Sequence, residues 1–181
     1  MIKYAKVLNE ETGLCEIGVG TNTDFYISIG MTQQDVEQSD VDNCWYLTEK
    51  CPHKPDAQKL QEAKEAKYQE ALQGAKDYLE NDAAFQFDEL NSIETSSENI
   101  GKMTAYALDF LTGTTEPKNW TSKEDNVLSL SAEDVSTILR GIETIQTEVW
   151  TVKFVAYKNA IGQASTVEEV EAITINYEEG E

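Results

Sequence analysis

Residues able to bind a metal ion are concentrated in the first 53 positions of this 181-residue sequence. They are Cys15, Cys44, Cys51 and His53, which are all of the cysteines and the only histidine. Three thiolates and one imidazole would fill a tetrahedral zinc shell. The spacing is not that of a known zinc knuckle, however, and no Cys-x-x-Cys occurs. We therefore predict no metal site. The alternative hypothesis is a zinc-binding or enzymatic protein in which these four residues form the site.

Other patterns typical of catalysis or ligand binding are weak. A single histidine limits any His-based triad to one member. Asp40, Asp42 and Asn43 are similar to the start of a calcium loop, but the glycine and the glutamate that such a loop requires are missing. The glycines at 13, 18 and 20 have the wrong spacing for a phosphate-binding loop. We predict that the protein is not an enzyme and has no catalytic residues and no cofactor.

The composition excludes several kinds of partner. The chain has 14 basic and 34 acidic residues, a net charge of -20. Such a field repels phosphate backbones and anionic lipid surfaces, so we expect no nucleic-acid partner and no membrane partner. Three cysteines are an odd number, which indicates free thiols in a reducing cytoplasm. The segment MIKYAKVLNEE has no apolar h-region, so no secretory signal is expected.

The elements that would position these residues predict an α+β fold in four parts. They are a small β-rich module (1–51), a Pro break and linking helix (52–80), an α+β C-terminal domain of helices, short β-hairpins and a long last helix (81–163), and a short helix with an acidic tail (164–181).

The β-rich module is predicted from alternating segments. IKYAKVL and GLCEIGVG form a hairpin that turns through Glu10 to Gly13, and NCWYLTEKC is a third strand. Between them, MTQQDVEQSD predicts one polar helical turn capped by Thr32. Pro52 and Pro55 then break the chain before a helix that begins near Asp56.

Two hairpins and two helices are predicted in the C-terminal domain. Phe85 and Phe87 alternate across the first hairpin, and Ser96 or Ser97 caps the helix that follows. In NWTSKEDNVLSL, turn residues separate two β-like runs, which favours a second hairpin that carries Trp120 over a binding loop that presents it. Ser131 and the acidic residues after it predict the N-terminus of the last helix.

An apolar stripe on that last helix repeats with heptad spacing. Its members step by three and four residues: Val135, Ile138, Ile142, Ile145, Val149, Val152 and Ala156. β-branched residues at both core positions favour assemblies above two strands, which would make the stripe an interface. The alternative is a core helix inside one small domain. Trp120 and the stripe from Val135 to Val152 are the candidate interaction residues.

Two segments resemble proteins encoded in phage and prophage tail regions of Gram-positive bacteria. Residues 1–55 are similar to their N-terminal module, through NEET, SIGMT, the Trp-Tyr strand and the Pro-x-x-Pro exit. Residues 76–162 are similar to an uncharacterised C-terminal domain common in phage tail proteins, through the Phe85/Phe87 pair, the Ser96–Ile100 helix start and the Trp-Thr/Asp-Asn hairpin. Ala83 and Ala84 stand where members usually have a glycine.

The resemblance implies a setting and brings no catalytic residue. We expect a structural or adaptor component of a phage tail, associated with the tail fibre or the baseplate. The alternative is a tail-fibre assembly chaperone that does not remain in the particle. A homo-oligomer is expected, a trimer if the protein joins a fibre. The expected location is the host cytoplasm during assembly and then the virion tail.

Overall fold

A computed structural model describes residues 1–178 and confirms the α+β class. The chain divides into two compact units, Met1–Lys59 and Leu60–Glu181. The last three residues of the predicted acidic tail, 179–181, lie outside the described residues. Among residues 1–178, no helix combines the length and apolar character that crossing a membrane would demand.

The first unit is built on four antiparallel strands that close into a barrel. They are β1 (Ile2–Asn9), β2 (Leu14–Ile17), β3 (Thr32–Gln38) and β4 (Trp45–Leu47), in the order β1-β2-β4-β3. Its interior holds Ala5, Cys15 and Val36, with partly buried apolar side chains packed around them. The predicted hairpin between β1 and β2 is confirmed. Gly13 has a φ of +73°, a left-handed conformation that favours glycine.

One prediction in this unit is wrong. MTQQDVEQSD was expected to form a polar helical turn capped by Thr32, and it forms β3 instead. Both edges of β3 are paired, with β1 and with β4, and Val36 points into the barrel at 0% exposure. These long-range pairings override the weak local preference of a polar segment. The preceding apolar segment forms the short helix α1 (Thr23–Ser28), capped by the Asn22 side chain.

The second unit contains most of the predicted linking helix. Helix α2 (Asp56–Asp77) continues into a π-helical segment, Tyr78–Asp82. Ala75 and Leu79 are buried in a cluster with Val149 and Tyr177, and Ala71 is buried as well. From Leu60 onward, residues therefore belong to the C-terminal unit. The boundary between the two units thus falls within the stretch predicted as the Pro break and linking helix, 52–80.

The remaining elements follow the predicted order of hairpins and helices. They are β5 (Ala84–Gln86), β6 (Ser92–Glu94), α3 (Ser97–Leu111), β7 (Lys118–Thr121), β8 (Val127–Leu130), α4 (Ala132–Thr147), a π-helical segment (Glu148–Lys153), α5 (Phe154–Gln163) and α6 (Val167–Glu171). Strands β5 and β6 form one hairpin, and β7 and β8 form the other.

Side-chain caps set the helix starts that the sequence predicts. Ser96 accepts a hydrogen bond from the Asn99 N–H at the start of α3. Ser131 and Asp134 form a capping box at the start of α4, which satisfies backbone donors that the helix itself cannot. The Thr166 side chain accepts a hydrogen bond from the Glu169 N–H at the start of α6.

Two apolar clusters stabilise the second unit. The first joins both hairpins to α3 and α4 through Ile93, Met103, Trp120, Leu130, Val135, Ile138 and Ile142. The second joins α2 to the π-helical segment after α4 and to the chain end, through Ala75, Leu79, Ala83, Val149 and Tyr177. Residues 172–178, which follow α6, have no regular secondary structure, yet Tyr177 is only 4% exposed.

Candidate functional site

Trp120 lies in the interior of the second unit. It is 8% exposed, on β7, and its ring meets that of Tyr106 edge to face, with centroids 6.1 Å apart. The Tyr106 hydroxyl donates to the Asn119 carbonyl oxygen, which ties α3 to the hairpin. The hairpin interpretation of the sequence is therefore confirmed, and Trp120 is placed as a packing residue between α3 and the hairpin.

Most of the apolar stripe on the last helix is also interior. Val135, Ile138, Ile142 and Val149 are each at most 2% exposed. Ile145 is partly buried, and Val152 is 52% exposed. This burial favours the alternative in which the stripe is the core of one domain. An interface made by these residues stays a prediction, and it would require α4 to leave its own core.

The surface between α3 and α4 carries a groove of about 390 Å³. Its apolar lining includes Ala107, Phe110 and Leu111 of α3 and Leu139 of α4. Leu111 is 82% exposed, and Leu108 beside it is 57% exposed. A contiguous exposed apolar surface is characteristic of protein–protein contact sites.

The groove also has polar lining residues. They are Ser136, Arg140 and Glu143, all on α4. A mainly apolar groove with a few polar groups suits an amphipathic segment of another protein, whose apolar side chains would fill it. The sequence does not predict this groove, because it forms only where residues of α3 and α4 come together in the fold.

A second cavity, of about 850 Å³, lies beside the first hairpin. Glu124 lines it and accepts hydrogen bonds from the Ser92 N–H, at 2.8 Å, and from the Ser92 hydroxyl. These bonds stabilise the ionised carboxylate and lower the pKa of Glu124 to about 2. Through these hydrogen bonds Glu124 connects the two hairpins. Proton transfer near neutral pH favours a pKa near neutrality, so Glu124 is a poor candidate for exchanging protons.

The structure separates the four metal-binding candidates named from the sequence. Cys15 is in the barrel core, where burial raises the pKa of its thiol, and Cys44 is exposed between β3 and β4. Cys51 and His53 do come together, and their third neighbour is Glu37 of β3. Glu37 was not among the candidates named from the sequence. Its segment, β3, was predicted as a helical turn, and that prediction does not place Glu37 on one side of a strand.

The segment that is similar to a calcium loop is a turn held by its own side chains. Asp42 accepts hydrogen bonds from the Cys44 N–H at 3.0 Å and from the Tyr46 hydroxyl at 2.8 Å. Asn43 has a φ of 61°, a conformation that asparagine tolerates better than most residues. Both Asp42 oxygens thus have structural partners in this turn.

Comparison of the chain with protein-family models, with curated proteins and with solved structures finds no match. The resemblance to phage tail-region modules therefore rests on the sequence motifs given above.

Proposed function

We propose that this chain is a non-enzymatic adaptor or structural protein of a phage or prophage tail, associated with the tail fibre or the baseplate. The motif resemblance covers about four fifths of the sequence and supplies the setting. The observation that carries the proposal is the apolar groove between α3 and α4, on a chain whose surface is otherwise strongly acidic.

The occupant proposed for the groove is a segment of the fibre or baseplate protein with an apolar face and basic flanks. The apolar face would cover Phe110, Leu111 and Leu139. Basic flanks follow from charge complementarity, because a net charge of -20 attracts a positive partner and speeds the encounter. Copies of the chain would be arranged by the symmetry of the tail, in threes for a fibre.

The test is quantitative mass spectrometry of tail particles purified from the producing strain, carrying the wild type, Leu111→Glu or Val127→Glu. Leu111 lines the groove, while Val127, 75% exposed on β8, is the matched control for adding a charge at an exposed apolar position. We expect the wild type and Val127→Glu in whole-number ratio to a known tail component. We expect Leu111→Glu in the lysate but not in the particle.

Absence of the wild-type protein from particles, with presence in the lysate, would overturn the structural role and favour the assembly chaperone. Equal incorporation of Leu111→Glu and Val127→Glu would remove the groove as the docking site. Binding of the purified wild type to a purified fibre fragment then separates a chaperone from a protein with no tail role.

A further inference from the structure

Three side chains with metal-ligand chemistry meet at one end of the barrel. The thiol of Cys51, the imidazole of His53 and the carboxylate of Glu37 have ligand atoms that all lie within 4.8 Å of one another. The Nε2 of His53 is 3.9 Å from Oε2 of Glu37. In a tetrahedral zinc site, ligand atoms lie about 3.3–3.8 Å apart, so closure by about 1 Å would bring this set to bonding geometry.

The backbone around the cluster is anchored on both sides of His53. Ser39, 1% exposed, donates its hydroxyl to the Pro52 carbonyl oxygen at 2.9 Å. The Lys54 N–H donates to Oδ1 of Asp40 at 2.7 Å. Cys51 itself has an extended backbone, with ψ of 121°. Residues two apart on an extended chain point to the same side, which explains why Cys51 and His53 both reach Glu37.

The second nitrogen of His53 also faces a carboxylate. His53 Nδ1 is 3.9 Å from Oδ1 of Asp40, and Asp40 is fixed by an ion pair with Lys59 at 2.7 Å. An imidazole with one nitrogen toward a ligand position and the other toward a fixed carboxylate is the arrangement that protein metal sites use to orient histidine.

The charge of the site favours a cation. The carboxylates of Glu37 and Asp40 approach the two imidazole nitrogens of His53, each to 3.9 Å. A divalent ion would neutralise one thiolate and one carboxylate and so remove the repulsion between them. A thiolate and an imidazole select a borderline-soft metal such as Zn²⁺ and disfavour Ca²⁺ and Mg²⁺, which take oxygen ligands.

We propose that Glu37, Cys51 and His53 bind one zinc ion, with water in the fourth position and with Asp40 orienting His53. The site joins the end of β3 to the segment that leads into α2. It differs from the four-residue set suggested by the sequence, because Glu37 takes the place of Cys15 and Cys44. The proposal does not depend on a tail function.

The test uses the full-length reduced protein, freed of metal by a chelator and titrated with Zn²⁺ or with Co²⁺ as a spectroscopic probe. We expect one ion per chain, a submicromolar dissociation constant for Zn²⁺, and a thiolate-to-cobalt charge-transfer band in the near ultraviolet. Cys51→Ser should abolish the band, and His53→Gln and Glu37→Gln should each weaken binding at least 10-fold. Cys44→Ser, at an exposed cysteine outside the cluster, is the matched control and should bind like the wild type.

Asp40→Asn separates positioning from ligation. It should keep the charge-transfer band at saturating Co²⁺ while the dissociation constant rises about 10-fold. A second measurement needs no variant: Zn²⁺ should slow alkylation of Cys51 and leave the rate at Cys44 unchanged, as mapped by mass spectrometry. Failure to bind one ion per chain, a band that survives Cys51→Ser, or equal alkylation of Cys51 with and without Zn²⁺ would each overturn the proposal.

Discussion

The ring of Phe85 on β5 lies directly against the backbone of Gly141 on α4. A Cβ at position 141 would overlap the ring atoms of Phe85, so this close approach requires glycine. The contact seats the first hairpin on the middle of α4. It also explains a glycine in a helix interior, where glycine costs about 1 kcal/mol relative to alanine.

Gly141→Ala is therefore expected to destabilise the protein, although alanine is the better helix former. Overpacking against Phe85 costs about 1–3 kcal/mol and outweighs the propensity gain. Gly101→Ala in α3 is the matched control, since a Cβ there meets no atom within 4 Å. It should stabilise the fold by up to about 1 kcal/mol. Urea unfolding measures both variants, and equal stabilisation by both would contradict the Phe85–Gly141 contact.

Burial of the apolar stripe predicts that alanine substitutions along the last helix differ sharply in their effect on the unfolding free energy. Ile142→Ala removes a side chain that is 2% exposed and should cost about 2–5 kcal/mol of unfolding free energy. Val152→Ala, at a position 52% exposed, should change the unfolding free energy by less than about 0.5 kcal/mol. Light scattering gives the oligomeric state of each variant. Loss of association by Val152→Ala, with little loss of stability by Ile142→Ala, would restore the interface interpretation of the stripe.

Glu124 predicts an acid dependence of stability. Its folded pKa of about 2 lies below its ordinary value of 4.5, because Ser92 hydrogen-bonds the ionised form. Its contribution is therefore fully present above pH 4.5 and is lost as the pH falls through about 2. Glu124→Gln should lower the melting temperature at pH 6, and the difference from wild type should shrink between pH 4.5 and 2.

The control for that change in net charge is Glu116→Gln, at an exposed position before β7. It should change the unfolding free energy by less than about 0.5 kcal/mol relative to wild type. A Glu124→Gln difference that stays constant down to pH 2 would show that the carboxylate bond to Ser92 does not stabilise the fold.

Tyr177 attaches the segment after α6 to the rest of the second unit. Its ring packs on Tyr78 and Tyr157, and its hydroxyl donates to the Ala71 carbonyl oxygen at 2.9 Å. Tyr177→Ala should cost about 3–5 kcal/mol, because it removes the Tyr177 ring from the second apolar cluster. Tyr177→Phe should cost about 1 kcal/mol, because it removes only one hydrogen bond. Equal unfolding free energies for wild type and Tyr177→Ala in urea would mean that the chain end does not pack there in solution.

Local signals predicted the elements of the C-terminal unit well. Capping serines at 96 and 131, turn residues between β-like runs and apolar periodicity act within a few residues of the chain, so the sequence displays them directly. In β3 the decisive interactions are pairings with strands far along the chain, and a polar segment carries little local sign of them. Missing β3 also hid Glu37, and with it the cluster with Cys51 and His53.

The heptad pattern failed after Val149 for a different reason. The π-helical segment Glu148–Lys153 inserts an extra residue into the helical turn. The apolar face therefore steps five residues, from Val149 to Phe154, and continues through Tyr157 and Ile161. A regular period places Val152 and Ala156 on that face, and both are exposed in the structure.

The closed barrel of the first unit restricts how that unit can bind a partner. Within residues 1–59, each of the four strands is hydrogen-bonded to a neighbour on both sides. The pairings leave only short stretches of strand edge unpaired, which disfavours extension of the sheet by an incoming peptide or by a second copy. Recognition by this unit is therefore expected to use side chains and loops rather than added strands.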